Sequence, residues 1–211
     1  MDKNTLIEKL IERYPALNSC KKDIENAADL WINSYENKGK LLICGNGGSA
    51  ADADHITGEL LKSFSKKRPI TDNFSSELKS VDTERGKILA KKLERGLPAI
   101  SLSAHSALTS AVSNDIGGNF IYAQQIMGYG NKEDVLVAIT TSGNSQNIID
   151  AAITAKAKGM KIVGLTGETG GKLKQYCDAC ICVPSSITPV VQEYHLPVYH
   201  ILCQIVEHKF F

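Results

Sequence analysis

The stretch from Lys40 to Glu59, KLLICGNGGSAADADHITGE, limits most strongly what this chain can become. Leu41 to Cys44 form a short apolar run bounded by Gly39 and Gly45, the pattern of a strand buried in a parallel sheet. The run stops at a turn where Gly45, Gly47 and Gly48 let the backbone take positive φ and approach a ligand closely. Asn46 and Ser49 add side-chain hydrogen-bonding groups to that turn. Ser49 is also placed to cap the helix that follows. A helix opening there aims free N–H groups and the positive end of its dipole at an anion, so the turn is expected to hold a phosphate. His55 and Glu59, four apart, share a face of that helix. Gly45, Gly47 and Ala50 also satisfy G-x-G-x-x-G/A, but a dinucleotide site needs an acidic residue ending a second strand about twenty positions on. The chain has SKKRPITDN there, with Asp72 among turn formers and no strand before it.

The same alternation continues along the chain. Apolar positions at helical spacing over 4–13 and 19–37, separated by Pro15, predict two N-terminal helices that cover a sheet face or pack on a second subunit. Residues 65–97 interrupt the strand–helix rhythm. They carry the basic cluster Lys66, Lys67 and Arg68, read as a solvated face or as a reach toward an anionic substrate, and then a helical rhythm from Ser75 to Arg95. Further strands are expected at Ala99–Ser103, Asp134–Ile139, Lys161–Leu165 and Ala179–Val183, with helices between them. The last helix starts near Pro189, which puts Pro197 in its interior, or near His195, which puts Pro197 in its first turn; the pattern leaves both open. The arrangement predicts an α/β fold, a three-layer αβα sandwich around a doubly wound parallel sheet. It adds N-terminal helices (1–37) and a helical insertion (65–97), all in one domain spanning 1–211.

Composition narrows the function. A formal net charge of +1 gives no electrostatic case for nucleic acid or an anionic membrane as the main partner. No run of ~18 apolar residues is present. Six cysteines include a lone C-x-x-C at Cys177 and Cys180 without the second pair a structural zinc site would use, so free thiols and a reducing cytoplasm are expected.

After the third strand, Thr140, Thr141, Ser142 and Ser145 set four hydroxyls around Gly143 in a strand-to-helix turn. Hydroxyls and backbone N–H groups together make a cage for a phosphate dianion without a lysine. Both special turns fall at the carboxyl edge of the sheet, and two such loops suit a monophosphate on a small polar molecule.

CGNGGS, His55 with Glu59, TTSGNS, AKAKGMKIVGLTG and VQEYHLPVYH together resemble the sugar isomerase (SIS) domain family, and within it the phosphoheptose isomerase branch, over most of the chain. The resemblance implies aldose–ketose isomerisation of a sugar phosphate, sedoheptulose 7-phosphate, through an enediol. It implies Glu59 as the base and His200 as the acid. Substrate would be bound by Asn46, Gly47, Gly48, Ser49, Asn114, Asp115, Thr140, Thr141, Ser142, Ser145 and Gln192. It further implies a zinc ion held by His55, Glu59, Gln192 and His200, and a homotetramer with sites at subunit boundaries. The chain departs from the family at Pro189, where an acidic residue is usual, and at Ala104-His105, where an aspartate usually follows the serine. These departures keep open another sugar phosphate as substrate. A non-catalytic phosphosugar sensor or replication-initiation assembly factor is the third reading, against which the retained Glu59 and His200 stand.

Overall fold

The computed structural model describes residues 1–211. Five strands, β1 (Leu41–Gly45), β2 (Ala99–Ser101), β3 (Val135–Ile139), β4 (Lys161–Thr166) and β5 (Ala179–Cys182), form one sheet in the order β2-β1-β3-β4-β5. Every pairing is parallel. Parallel strands need crossovers, and the helices that make them cover both faces, which is why β1 and β3 are buried along their whole length. Alternate side chains divide between two cores. Leu41, Ile43, Val135, Val137 and Ile139 face one, with α1 (Lys3–Arg13), α2 (Lys21–Glu36), α3 (Gly48–Leu61) and α9 (Thr188–Phe210). Leu42, Cys44, Leu136 and Ala138 face the other, with α7 (Ile121–Tyr129) and α8 (Gln146–Ala157). The result is the expected three-layer, doubly wound sandwich.

The strand order reverses between β1 and β3, so the chain leaves those two strands toward opposite faces and opens a crevice at their carboxyl ends. The turns after β1 and β3 both end there.

Three local expectations are corrected, and one left open is settled. The cap of α3 is Gly47 with φ 56°, and no side chain caps the helix; Ser49 lies one residue inside it, buried. The stretch over 75–95 is not one helix. It is a hairpin of α4 (Asp72–Val81) and α5 (Thr83–Lys92), broken where the Asp82 side chain accepts the Arg85 N–H. Of the basic cluster, Lys67 is solvated as expected, but Arg68 is wholly buried. The last helix begins at Thr188, with Pro189 in its first turn and Pro197 inside it. Between β2 and β3, α6 (Ser106–Asp115) precedes α7, and no helix is long and apolar enough to cross a membrane.

His195 on α9 pins that helix to the sheet. It is fully buried, its Nε2 bonds to the Thr166 carbonyl at 3.3 Å, and its Nδ1 has no partner. Burial lowers its pKa from the ordinary 6.5 to about 4. The folded protein therefore keeps this ring neutral while the unfolded chain takes up a proton below pH 6.5. Protonation favours the unfolded state, and stability is lost as pH falls from about 6.5 to about 4, by up to about 3 kcal/mol. Urea melts across that window should show the loss, and His195→Gln should flatten it; an equal pH slope in both proteins would contradict the assignment.

Candidate active site

Two groups of side chains lie along the seam of α3 and α9. The first is a cavity of about 160 Å³ at the switch point, lined by Asn46, Ser49, Ile139, Thr140, Thr141, Ser145, Thr188 and Gln192. Only one lining residue is apolar and none is charged. The Thr140 and Ser145 hydroxyls are 3.1 Å apart. Asn46 and Asn147 exchange reciprocal amide hydrogen bonds, both 2.9 Å, which tie the first turn to the second. Tyr122 donates its hydroxyl to the Gly45 carbonyl and fixes the first turn from below. The helices α3 and α8 both begin beside this cavity without a side-chain cap. Two positive dipole ends therefore face a hydroxyl-lined space, a suitable environment for a phosphate.

Glycine matters at two of these positions, at Gly45 against backbone and at Gly48 against a side chain. A Cβ on Gly45 would come within 2.4 Å of the Ser49 carbonyl oxygen, and one on Gly48 within 2.6 Å of the Gln192 side-chain nitrogen. Gly48 thus makes the space in which α9 lays Gln192 across the first turn.

The second group sits further along the same helices. Glu59 is ten residues beyond Ser49, about 15 Å along a helix axis, and His200 is eight beyond Gln192, about 12 Å. His55 Nε2 lies 3.1 Å from Glu59 Oε1, and the His55 and His200 rings meet edge to face at 5.0 Å. His55 Nδ1 is 2.9 Å from the Tyr199 hydroxyl, which donates to Asp52 Oδ1 at 3.3 Å. Lys62 reaches Glu59 Oε2 at 3.2 Å. Burial lowers the pKa of His200; His55 adds to the effect and Glu59 opposes it. Burial raises the pKa of Asp52. A half-buried carboxylate beside an imidazole is equipped to move a proton between a carbon and an oxygen.

The remaining candidates fall elsewhere. Ser142 is exposed and turns inward on its own loop, accepting the Asn144 N–H at 3.1 Å. Asn114 and Asp115 close α6, exposed, bonded to one another at 2.8 Å and outside the cavity. His105 caps α6 without a side-chain bond and lines a separate cavity with Asp54 and Ala104, on the opposite side of α3 from Glu59. Sequence reasoning missed Asn147, Thr188, Asp52 and Tyr199. Asp52 was within reach of it, being three residues before His55 and so on the same helix face.

The donors named for zinc are partly gathered. His55, Glu59 and His200 are of the types zinc takes, and His200 Nε2 is buried without a partner, as a ligand nitrogen lacking its metal would be. Gln192 stands two turns away, and no three His, Cys, Asp or Glu side chains form a group arranged to hold a metal ion. The fit is one of donor chemistry rather than of convergence.

The five-strand parallel sheet with two polar loops at its switch point makes this a doubly wound α/β protein with a ligand crevice, and the SIS domain family model matches residues 7–101 and 83–167. A phosphoheptose isomerase from Nitratiruptor sp. is 40% identical over 187 residues, 89% of this chain and 86% of that one. One from Helicobacter pylori (strain P12) is 41% identical, covering 92% and 88%. The structure of a phosphoheptose isomerase from Francisella tularensis superposes with a TM-score of 0.74 at 32% identity, covering 97% of this chain and 96% of that one. The chain belongs to the phosphoheptose isomerase family of SIS domain proteins.

Gly48→Ala should push the Gln192 amide off the first turn. We expect KM for a sugar phosphate to rise about tenfold with a smaller change in kcat, as for a group that binds ground and transition states alike. An unchanged KM would remove Gln192 from the binding surface.

Proposed function

We propose that this chain interconverts sedoheptulose 7-phosphate and D-glycero-D-manno-heptose 7-phosphate through an enediol. The observation that carries the reading is the shared seam of α3 and α9, which starts at the hydroxyl-lined cavity and carries Glu59 and His200 two to three turns on. A phosphate held on Thr140, Thr141, Ser145 and Ser49 leaves the far end of the sugar directed along that seam. A seven-carbon chain phosphorylated at its last carbon spans more of the separation than a triose or pentose phosphate does.

In the forward direction Glu59 takes a proton from C1 of the ketose. The electron pair left behind forms the C1–C2 double bond, and the C2 oxygen takes a proton from His200. Return of a proton to C2, as the C1 hydroxyl loses its own and becomes the carbonyl, gives the aldose. Asp52 and Tyr199 orient His55 beside Glu59. Zinc held by His55, Glu59, Gln192 and His200 would polarise the carbonyl oxygen. Asn114 and Asp115 are proposed to contact the sugar hydroxyls, and Ser142 to add a loop donor. We take residues 1–211 as a single SIS domain with 65–97 inserted, acting in the cytoplasm as a homotetramer. The cavity of about 350 Å³ between α1 and α9, bordered by His200 and by Lys9 and Arg13, supports a site completed at a subunit boundary.

Ala104 and His105 favour a second reading, the same chemistry on a different sugar phosphate. A panel of ketose phosphates followed by NMR, with and without added zinc, separates the two. We expect turnover of the heptulose phosphate and a loss of at least ~100-fold in Glu59→Gln. Turnover of another sugar alone would replace the substrate and keep the mechanism, whereas binding without turnover would make the chain a sensor. Mass photometry should give four subunits; a monomer would remove the boundary site.

A further inference from the structure

The only buried ion pair in the chain sits behind Glu59, and neither partner belongs to the site described above. Arg68 and Glu207 are both fully buried, with Arg68 Nε 2.7 Å from Glu207 Oε1. Arg68 Nη1 donates to the Leu60 carbonyl at 2.7 Å, and Nη2 donates to the carbonyl of Glu59 itself at 3.0 Å. The last carbonyls of a helix have no partner within it, and here one guanidinium satisfies two of them at the end that carries the base. Glu207, seven residues beyond His200 on α9, also accepts the Phe64 N–H at 2.9 Å, the Ser65 N–H at 2.8 Å and the Ser65 hydroxyl at 2.5 Å. These bonds fold residues 63–68 around its carboxylate. They also set the Phe64 ring 5.3 Å from the His200 ring. One carboxylate thereby holds, through Arg68, the backbone of the base and, through Phe64, the ring of the acid.

The surroundings keep this arrangement dry and fixed. The aromatic ring of Phe211 covers the Arg68 guanidinium at 4.9 Å, with Arg95 on the same ring at 4.7 Å. Arg95 N–H donates to the Arg68 carbonyl at 2.7 Å, and Pro69 bridges Glu94, so the neck of the α4–α5 hairpin closes on the same point. A buried pair of this kind is no more stabilising than well-packed apolar residues, so geometry is the property that sets it apart. Arginine suits the task because its planar fork serves three acceptors in fixed directions, which a lysine ammonium cannot.

We propose that Arg68 and Glu207 are positioning residues for the isomerase reaction, a clasp that fixes the Glu59 end of α3 against the His200 face of α9. This rests on the reading of Glu59 and His200 as base and acid. Misplacement of a reacting group by about 1 Å costs on the order of a hundredfold in rate, whereas binding of the phosphate on the distant loops is untouched.

Arg68→Lys tests it. The ammonium keeps the charge pair with Glu207 but cannot reach Glu207 and both carbonyls at once. In protein that still melts cooperatively, we expect kcat to fall about tenfold or more with KM within about twofold of wild type. A kcat within about twofold of wild type would overturn the proposal, because a purely structural pair lowers the folded fraction and not the rate of folded enzyme. Should Arg68→Lys not fold, Phe64→Leu leaves the ion pair and the Phe64 N–H bond in place. A fall in kcat of about threefold or more at constant KM would then support the clasp, and no fall would overturn it. If wild type turns over no ketose phosphate, the substrate reading fails separately. Hydrogen exchange over residues 57–62 then decides, with protection lost in Arg68→Lys supporting the clasp and unchanged protection overturning it.

Discussion

The pairing of β1 with β3, in register from Leu41–Val135 to Gly45–Ile139, is the constraint on which the site depends. It ends both strands at one level at the point where the sheet reverses its winding. The turn CGNGGS and the turn TTSGNS then leave side by side, and the Asn46–Asn147 amide pair joins them. A slip of one residue would exchange the side chains of β1 between the two cores, so the packing of Leu41 and Ile43 on one face and Leu42 and Cys44 on the other holds the two loops in register. The hydroxyl-lined cavity is thus a property of sheet topology. Its lining needs no cation because two uncapped helix ends supply the positive potential.

From that point α3 and α9 run from the cavity toward the proposed acid–base group, and each carries half of the residues that the proposed reaction uses. Gln192 and His200 come from one helix, and Ser49, His55 and Glu59 from the other. Relative placement of two helices is then a chemical matter as well as a structural one. His195 holds α9 to β4 through the Thr166 carbonyl, Tyr199 spans from α9 to Asp52 and His55, and Arg68 with Glu207 closes the far end. All three contacts place polar groups in buried or half-buried surroundings, where satisfied hydrogen bonds impose more directional order than apolar packing does.

Much of this was legible in the sequence. The buried strands read as short apolar runs, the turns as glycine and hydroxyl clusters, and the family resemblance named some of the residues of both groups but not Asn147, Thr188, Asp52 or Tyr199. What escaped had physical reasons. Arg68 stands in a run with two lysines and reads as a solvated charge, because the carboxylate that buries it lies 139 positions away and leaves no local trace. The break between α4 and α5 did have a local signal, Asp82 followed by Thr83-Glu84, an N-cap with an acidic residue in the first turn, hidden by the helical rhythm on either side. Ser49 has the chemistry of a cap, but Gly47 alone takes the positive φ at which the chain enters α3. Pro189 resolved the start of α9 only once the structure placed it in the first turn, where its missing N–H costs nothing.

Proton transfer by Glu59 through an enediol is the claim that joins the fold to its chemistry. The most direct measurement follows deuterium by NMR when the ketose phosphate is converted in D₂O. The account predicts solvent deuterium at C2 of the aldose and at C1 of recovered ketose, with neither label formed by Glu59→Gln at matched protein concentration. Complete conversion without deuterium in either sugar, or the same labelling by Glu59→Gln, would contradict it.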